Sequence, residues 1–316
     1  MQKSTRPIEL FGKRTGTPDT SLPTQEDCEV VCLSVFILTR NEEDNLDDCL
    51  QSVVSWCSDV HIVDSFSTDG TLQIAERYGV RVHQHHFEGH TRQRSWALEN
   101  IPFANEWVFA LDADHRVTPT LQEELRQCFR KPPAGLEGFY VKRRQVFRGR
   151  WIRFGGYYPK YMLKVFRRDR AFLDDNEFDY RFYVRGKTST LKNDIVESNQ
   201  KEWQISFFVD KHNKFATEQA IEELRRKAGE IKYLVKVSPF GSPDQRILWI
   251  KIRWNSLPLY LRPFLLFMYR YVFRLGFLDG KEGFIFHFLQ SFWFRLVVDV
   301  RREELEASPR GPSQRA

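Results

Sequence analysis

Two carboxylates one residue apart, Asp112 and Asp114, close an aromatic and aliphatic run at residues 106–117, EWVFALDADHRV. If the strand persists through them, alternation points both side chains to one side, where their charges repel unless a cation stands between. A divalent ion held by hard oxygen ligands meets that need. For an isolated Asp-x-Asp, a polar turn after a core strand is the commoner explanation, so the neighbouring chain decides. Two further polar clusters follow apolar runs: Thr39-Arg40-Asn41-Glu42, and residues 64–71 from Asp64 to Thr71. A later acidic group, Asp174, Asp175, Glu177 and Asp179, offers either a general base or a solvated loop. Four histidines (83, 85, 86, 90) suggest zinc at first sight, but no complementary Cys/His pair occurs elsewhere, so a strand end and polar loop explain them better.

These residues need elements to carry them. Residues 31–38 (VCLSVFIL), 60–63 and 107–111 read as short strands covered on both faces, the kind found in parallel sheets. Leu46, Cys49, Leu50, Val53 and Val54 recur at helical spacing, with Asn41 as the expected N-cap. A helix at about 72–78, a strand at 80–83 and a helical stretch at 92–100 complete an alternation of strands and helices. That pattern predicts a doubly wound α/β sheet, whose ligands gather at the strands' carboxyl ends. Asp69 fits a cap-and-turn role within Ser-Thr-Asp-Gly-Thr. Past a helix carrying Leu121, Leu125 and Phe129, the chain turns to β-like pieces at 139–147, 161–166 and 182–184. Lys211 to Ala228 reads as a charged helix. Residues 238–243 (SPFGSP) are the clearest linker signal.

Composition sets the outer bounds. With 316 residues, 41% hydrophobic and 28% charged, the chain is of globular type. Its net charge of +6 suits an anionic membrane surface or a phosphorylated substrate, and no nucleic-acid recognition motif is present. Five scattered cysteines (28, 32, 49, 57, 128) lack metal-ligand spacing and point to reduced thiols in a cytoplasmic setting. The first 27 residues are polar and carry no apolar run of the signal-peptide kind.

Together, VFILTRNEE (35–43), VDSFSTDGT (63–71) and LDAD (111–114) resemble the three signatures of family 2 glycosyltransferases with the GT-A fold. Each motif alone is weak. Three in the family's order, each after a predicted strand, make a strong signal. The resemblance covers roughly residues 31 to 215. YPKYMLKVFR (158–167) and KHNKFATEQA (211–220) are similar to the branch related to lipopolysaccharide-core glucosyltransferases, and the aromatic tail resembles exopolysaccharide relatives.

That likeness implies a Rossmann-like, mostly parallel sheet flanked by helices, as a GT-A domain over residues 30–237. A tail over 1–29, an amphipathic helical region over 246–305 and a second tail over 306–316 complete the expected layout. It implies an inverting transfer from a nucleotide-sugar, a UDP-sugar, to a lipid-linked or envelope saccharide. Thr39, Glu42, Asp64, Arg94 and Asp112 would bind the donor, with Asp64 on a uracil-type base. Asp112 and Asp114 would hold Mg²⁺ or Mn²⁺, with Glu197 as a further ligand or a surface residue. Relatives follow the acidic pair with Glu, where this chain has His115. They also carry a His-Glu pair that falls here on Asp179-Tyr180. Asp179 is the expected base, with Asp175 and Glu177 as rivals. The missing glutamate leaves open a catalytically silent domain that binds nucleotide-sugar or glycan as a membrane scaffold.

The last third is aromatic, basic and apolar together. PFLLFMYRYVFRLGFL (263–278) is broken by Arg270 and Arg274, and residues 283–298 carry His287, Gln290 and Arg295. Neither reaches the ~20 apolar residues of a bilayer span. Arginines among aromatics are hard to bury in a soluble domain, so an amphipathic helix in an anionic headgroup layer is expected ahead of a packed cap. Trp151, Tyr157 and Tyr158 are candidates to stack on sugar, or plain core and rim aromatics.

Overall fold

The computed structural model describes residues 31–131, 133–173, 181–230 and 235–307. The chain opens with β1 (Ser34–Thr39), α1 (Glu43–Val54), β2 (Val60–Asp64), α2 (Thr71–Arg77), β3 (Arg81–Gln84), α3 (His90–Asn100) and β4 (Trp107–Asp112). All five residues of β2, and five of the six in both β1 and β4, are buried, as covered strands require. Helix α1 turns Leu46, Cys49, Leu50 and Val53 onto them. Each such aliphatic side chain contributes about 1.5–3 kcal/mol by leaving water.

A turn at Ala113 and Asp114 separates β4 from β5 (His115–Val117), and α4 (Pro119–Phe129) follows with Thr118 capping it. Next come β6 (Gly138–Phe147), β7 (Arg150–Ile152), β8 (Lys160–Arg167), β9 (Ala171–Leu173), β10 (Phe182–Val184), β11 (Thr188–Glu197) and α5 (Ile205–Lys227). The main sheet runs β3-β2-β1-β4-β8-β6-β11-β5, with β7 beside β6. Its first four strands are parallel. Beyond them β8 is antiparallel to both β4 and β6, and β5 is antiparallel to β11, which itself runs parallel to β6. The α/β expectation holds, but the sheet is mixed rather than mostly parallel. Part of the cause is local: β6 and β7 are joined by a tight turn at residues 148–149 that allows only an antiparallel neighbour.

The final part contains α6 (Pro243–Asn255), α7 (Leu261–Phe267), α8 (Gly280–His287) and α9 (Phe294–Ala307), with π-helical turns at Met268–Phe273 and Phe288–Trp293. The sequence-based objection to burying its arginines is corrected here. Arg262 is fully buried and pairs with Asp299 and with Glu223 of α5 (2.8 Å), while Arg295 reaches the other oxygen of Glu223 (2.8 Å). Burial pushes Glu223 up, but Arg295 and Arg262 outweigh it and hold the carboxyl below its usual range. Around this cluster Phe294 and Val298 pack on Ala216 and Ala220 of α5. The segment also grips the loop before β8. Asp279, itself buried, accepts the backbone N–H of Arg153 (3.2 Å) and Phe154 (2.9 Å). His287 fills the space a Cβ on Gly155 or Gly276 would need. The four described cysteines are free thiols.

Candidate functional site

Register alone brings the three loaded strand ends together. Thr39 stands beside Asp64 on the neighbouring strand, and Leu38 beside Asp112 on the other side. Asp64 is buried; its carboxylate accepts Thr39 Oγ1 (2.9 Å), Ser67 Oγ (2.5 Å) and the Ser67 backbone N–H (2.9 Å). Those bonds realise the turn-holding role that competes with base contact for this residue. Asn41 is not the cap of α1, a position taken by Glu42. It sits in the left-handed region (φ 55°), and its side-chain oxygen accepts the Thr68 N–H (2.8 Å), knitting the first two loops together. Glu42 is held by Asn45 (2.7 Å) and Lys201 (2.8 Å). Asp69 caps its own turn through Thr71 N (3.0 Å) and Thr71 Oγ1 (2.5 Å), as its sequence context indicates.

The two central carboxylates differ sharply. Asp112 lies between cations, pairing with Arg94 through one oxygen and with Lys164 through the other (3.0 Å). Desolvation opposes its charge, yet Lys164 and Arg94 hold the carboxyl well below its ordinary range. Arg94 is buried, so a solvated helix face does not describe it. The Asp114 carboxylate accepts no hydrogen bond from the described residues, and His115 Nε2 lies 4.0 Å from it. Desolvation, followed by the Glu197 carboxylate, pushes Asp114 up to about 6.

His115, where the family resemblance implies an acid, organises the set. Its Nδ1 accepts the Asp112 backbone N–H (3.0 Å), so the ring proton belongs on Nε2, which faces Glu197 (3.2 Å) and Asp112 (3.6 Å). Antiparallel pairing puts Glu197 directly opposite His115. Glu197 also receives Arg143 (2.5 Å); burial resists its charge, but Arg143 and His115 depress its pKa strongly. Asp112, Asp114 and Glu197 therefore converge on one histidine. Even so, no three acidic, histidine or cysteine side chains among the described residues are arranged to hold a metal ion. The expected set is thus reduced to one carboxylate, Asp114, with no cation in contact; Asp112 and Glu197 are neutralised by the protein itself.

Lys164, Arg143 and the role of His115 escaped sequence reasoning. The basic residues lie on strands whose register no local pattern reveals, and only the departure at 115 was visible. Asp175, Glu177 and Asp179 lie outside the described residues. Among the histidines, His83 bonds to His61 (3.0 Å) and His85 to Gln93 (2.7 Å), which are structural contacts. Tyr157 is buried on Phe286, Tyr158 bonds to Asp194 (3.0 Å), and Trp151 lies under Arg144 and Arg153.

Acidic strand ends collected on the carboxyl edge of the parallel part of an α/β sheet stand where open α/β sheets meet polar ligands. Residues 34–188 match the model of Glycosyl transferase family 2, and this part of the chain is a domain of that family. The lipopolysaccharide core biosynthesis glycosyltransferase LpsC of Rhizobium meliloti is 32% identical over 152 residues, 45% of this chain and 53% of that protein. An uncharacterised glycosyltransferase of Rickettsia conorii is 37% identical over 97 residues, 31% of this chain and 34% of that protein. The chain thus spans only a third to a half of these relatives' length. Among solved structures, a mannosyltransferase of Pyrobaculum calidifontis in complex with GDP-mannose and Mn²⁺ aligns over 87% of both chains, with a TM-score of 0.49 and 14% identity. Glucosyl-3-phosphoglycerate synthase of Mycobacterium tuberculosis aligns over 37% of this chain and 44% of that one, with a TM-score of 0.31 and 19% identity.

Proposed function

We propose that the protein is an inverting, metal-dependent glycosyltransferase. It moves a sugar from a nucleoside-diphosphate donor, a UDP-sugar, to a lipid-linked or cell-envelope saccharide at the cytoplasmic face of the membrane. One observation carries the reading: Asp114 is a half-buried carboxylate with no cation in contact among the described residues, beside two carboxylates whose charge the protein already balances. A divalent ion, Mg²⁺ or Mn²⁺, fits such a position when diphosphate oxygens and water complete its shell. When bound, it would offset the charge that builds on the departing diphosphate. Asp112, fixed by Arg94 and Lys164, would orient the ribose, while Thr39, Glu42 and Asp64 shape the base end of the cradle. Asp179 is the assigned base, with Asp175 and Glu177 as rivals. An Asp179→Asn variant should keep donor binding and lose transfer, and full activity would move the base elsewhere.

The relationship to LpsC supports an envelope saccharide as acceptor. Membrane contact is supported by an apolar row that the packed helices leave exposed: Phe264, Tyr269, Phe273, Phe277, Phe284 and Phe288, with Phe273 74% exposed. Exposed Arg274 and Lys281 lie within the same stretch and suit an anionic lipid surface. By length and composition the helical run Gly276–Ala307 could cross a membrane, but 44% of its most apolar window is buried against the protein, which favours an interfacial seat.

Turnover with a panel of UDP-sugars and Mn²⁺ tests the activity. Metal-dependent release of UDP from one donor is the expected result. Tight metal-dependent UDP binding with no turnover on any donor would favour the silent scaffold, and no UDP binding would overturn both.

A further inference from the structure

Beyond Glu197 the described residues of the sheet hold more positive charge than they balance. On β6, Lys142 and Arg144 both pair with Asp194 of β11 (3.5 and 2.6 Å). Arg143, between them in sequence, reaches Glu197, and directly across from it on β8 stands Lys160. Two cations at opposed positions of an antiparallel pair repel. The Lys160 side chain makes no hydrogen bond or ion pair with the described residues, and the buried Arg143 Nε has no partner among them. The C-terminal segment adds a third cation, Arg270, whose guanidinium lies 4.5 Å above the Tyr157 ring and pairs with no carboxylate among the described residues. Burial and these like charges act on Lys160 together: Arg143 first, then desolvation and two further arginines, Arg181 and Arg270, depress its pKa. Arg181 is itself matched by Asp244 (2.8 Å). Among the described residues, the one carboxylate in contact with Arg143, Lys160 or Arg270 is Glu197, which Arg143 reaches and His115 already shares.

Such an arrangement is unfavourable until an anion enters it. We infer that Lys160, Arg143 and Arg270 form a subsite for an oxyanionic group, a phosphate or carboxylate carried by the acceptor next to the hydroxyl that receives the sugar. This rests on the transferase reading and narrows it to acidic acceptors. The donor's own diphosphate is the less favoured occupant, because the Asp112 end of its cradle is displaced along β8 from Lys160. Lys164, which serves Asp112, is four residues along β8 from Lys160, roughly 13 Å at the rise of an extended strand. Guanidinium and ammonium groups converging from two strands and a separate helical segment match the several oxygens of such a group.

The test uses the full chain saturated with UDP and Mg²⁺, titrated with inorganic phosphate in a calorimeter. Wild type should take up phosphate beside bound UDP. Lys160→Gln and Arg270→Gln should each weaken that binding about tenfold, one charge-assisted hydrogen bond's worth, with UDP affinity unchanged as the control for folding. A parallel loss of UDP affinity would assign the cations to the donor and overturn the inference, as would phosphate binding that neither variant alters, an adventitious ion only. Titrating wild type with UDP alone keeps the two readings separate: no UDP binding would count against the donor cradle, while the phosphate result with the Lys160 and Arg270 variants still decides the subsite. Vesicles of phosphatidylglycerol provide the last arm. Vesicle binding should be the same in both variants, and its loss would move these cations to a lipid headgroup and overturn the acceptor assignment.

Discussion

Asp112 and Asp114 are neighbours in the sequence but not in electrostatics. One is enclosed by Arg94 and Lys164, the other has no cation in contact among the described residues, and the difference follows from where the strand ends. The acidic pair was legible because an apolar run broken by two carboxylates is a local signal. Its partners were not, since Lys164 and Glu197 lie some fifty and eighty-five positions away and reach it through sheet register. Asp64 makes the same point in reverse. Its buried carboxylate holds the turn at Ser67 as well as lining the proposed cradle. Asp64→Ala should therefore cost roughly 3 kcal/mol in stability, the scale of lost hydrogen bonds to a charged group. Urea unfolding measures this directly, and an unchanged midpoint would reduce Asp64 to a ligand contact.

At the scale of elements, the first half of the fold was readable because covered strands are continuous apolar runs ended by polar loops. β11 was not: TSTLKNDIVE alternates imperfectly, and its pairing with β6 shifts register between Thr190 and Asp194. The docking of the last helices was hidden for a different reason. A buried arginine is acceptable only when its carboxylates are known, and those of Arg262 lie on α5 and α9. Glu223→Gln should destabilise the protein by about 3 kcal/mol at neutral pH, because Arg262 and Arg295 would keep buried charge with one partner fewer. The sign of the pH dependence follows from the depressed folded pKa. Glu223 contributes fully above the ordinary glutamate value of about 4.3, and the contribution disappears as pH falls through the lower folded value. The melting temperatures of wild type and variant should thus differ most near neutrality and converge in acid. A gap that persists in acid would mean that packing, not charge, holds the helices.

For the whole molecule, the C-terminal helices both brace the loop before β8 and present an apolar row to the outside. Phe273→Asp with Phe277→Asp should reduce sedimentation with anionic vesicles at least tenfold, since each change places a charge where apolar surface enters the headgroup layer. Both side chains are exposed, so the fold should survive, and undiminished vesicle binding would remove this face as the membrane contact. The acidic strand ends and the apolar row would then serve one purpose, meeting a membrane-borne acceptor with a soluble donor. The donor half of that arrangement is tested most directly by the affinity for UDP, measured with Mn²⁺ and with chelator, on wild type and Asp114→Asn. Tight binding with the ion, and a fall of about a hundredfold both on its removal and in the variant, is the expected result. An affinity indifferent to the metal or to Asp114 would contradict the cradle on which the functional reading stands.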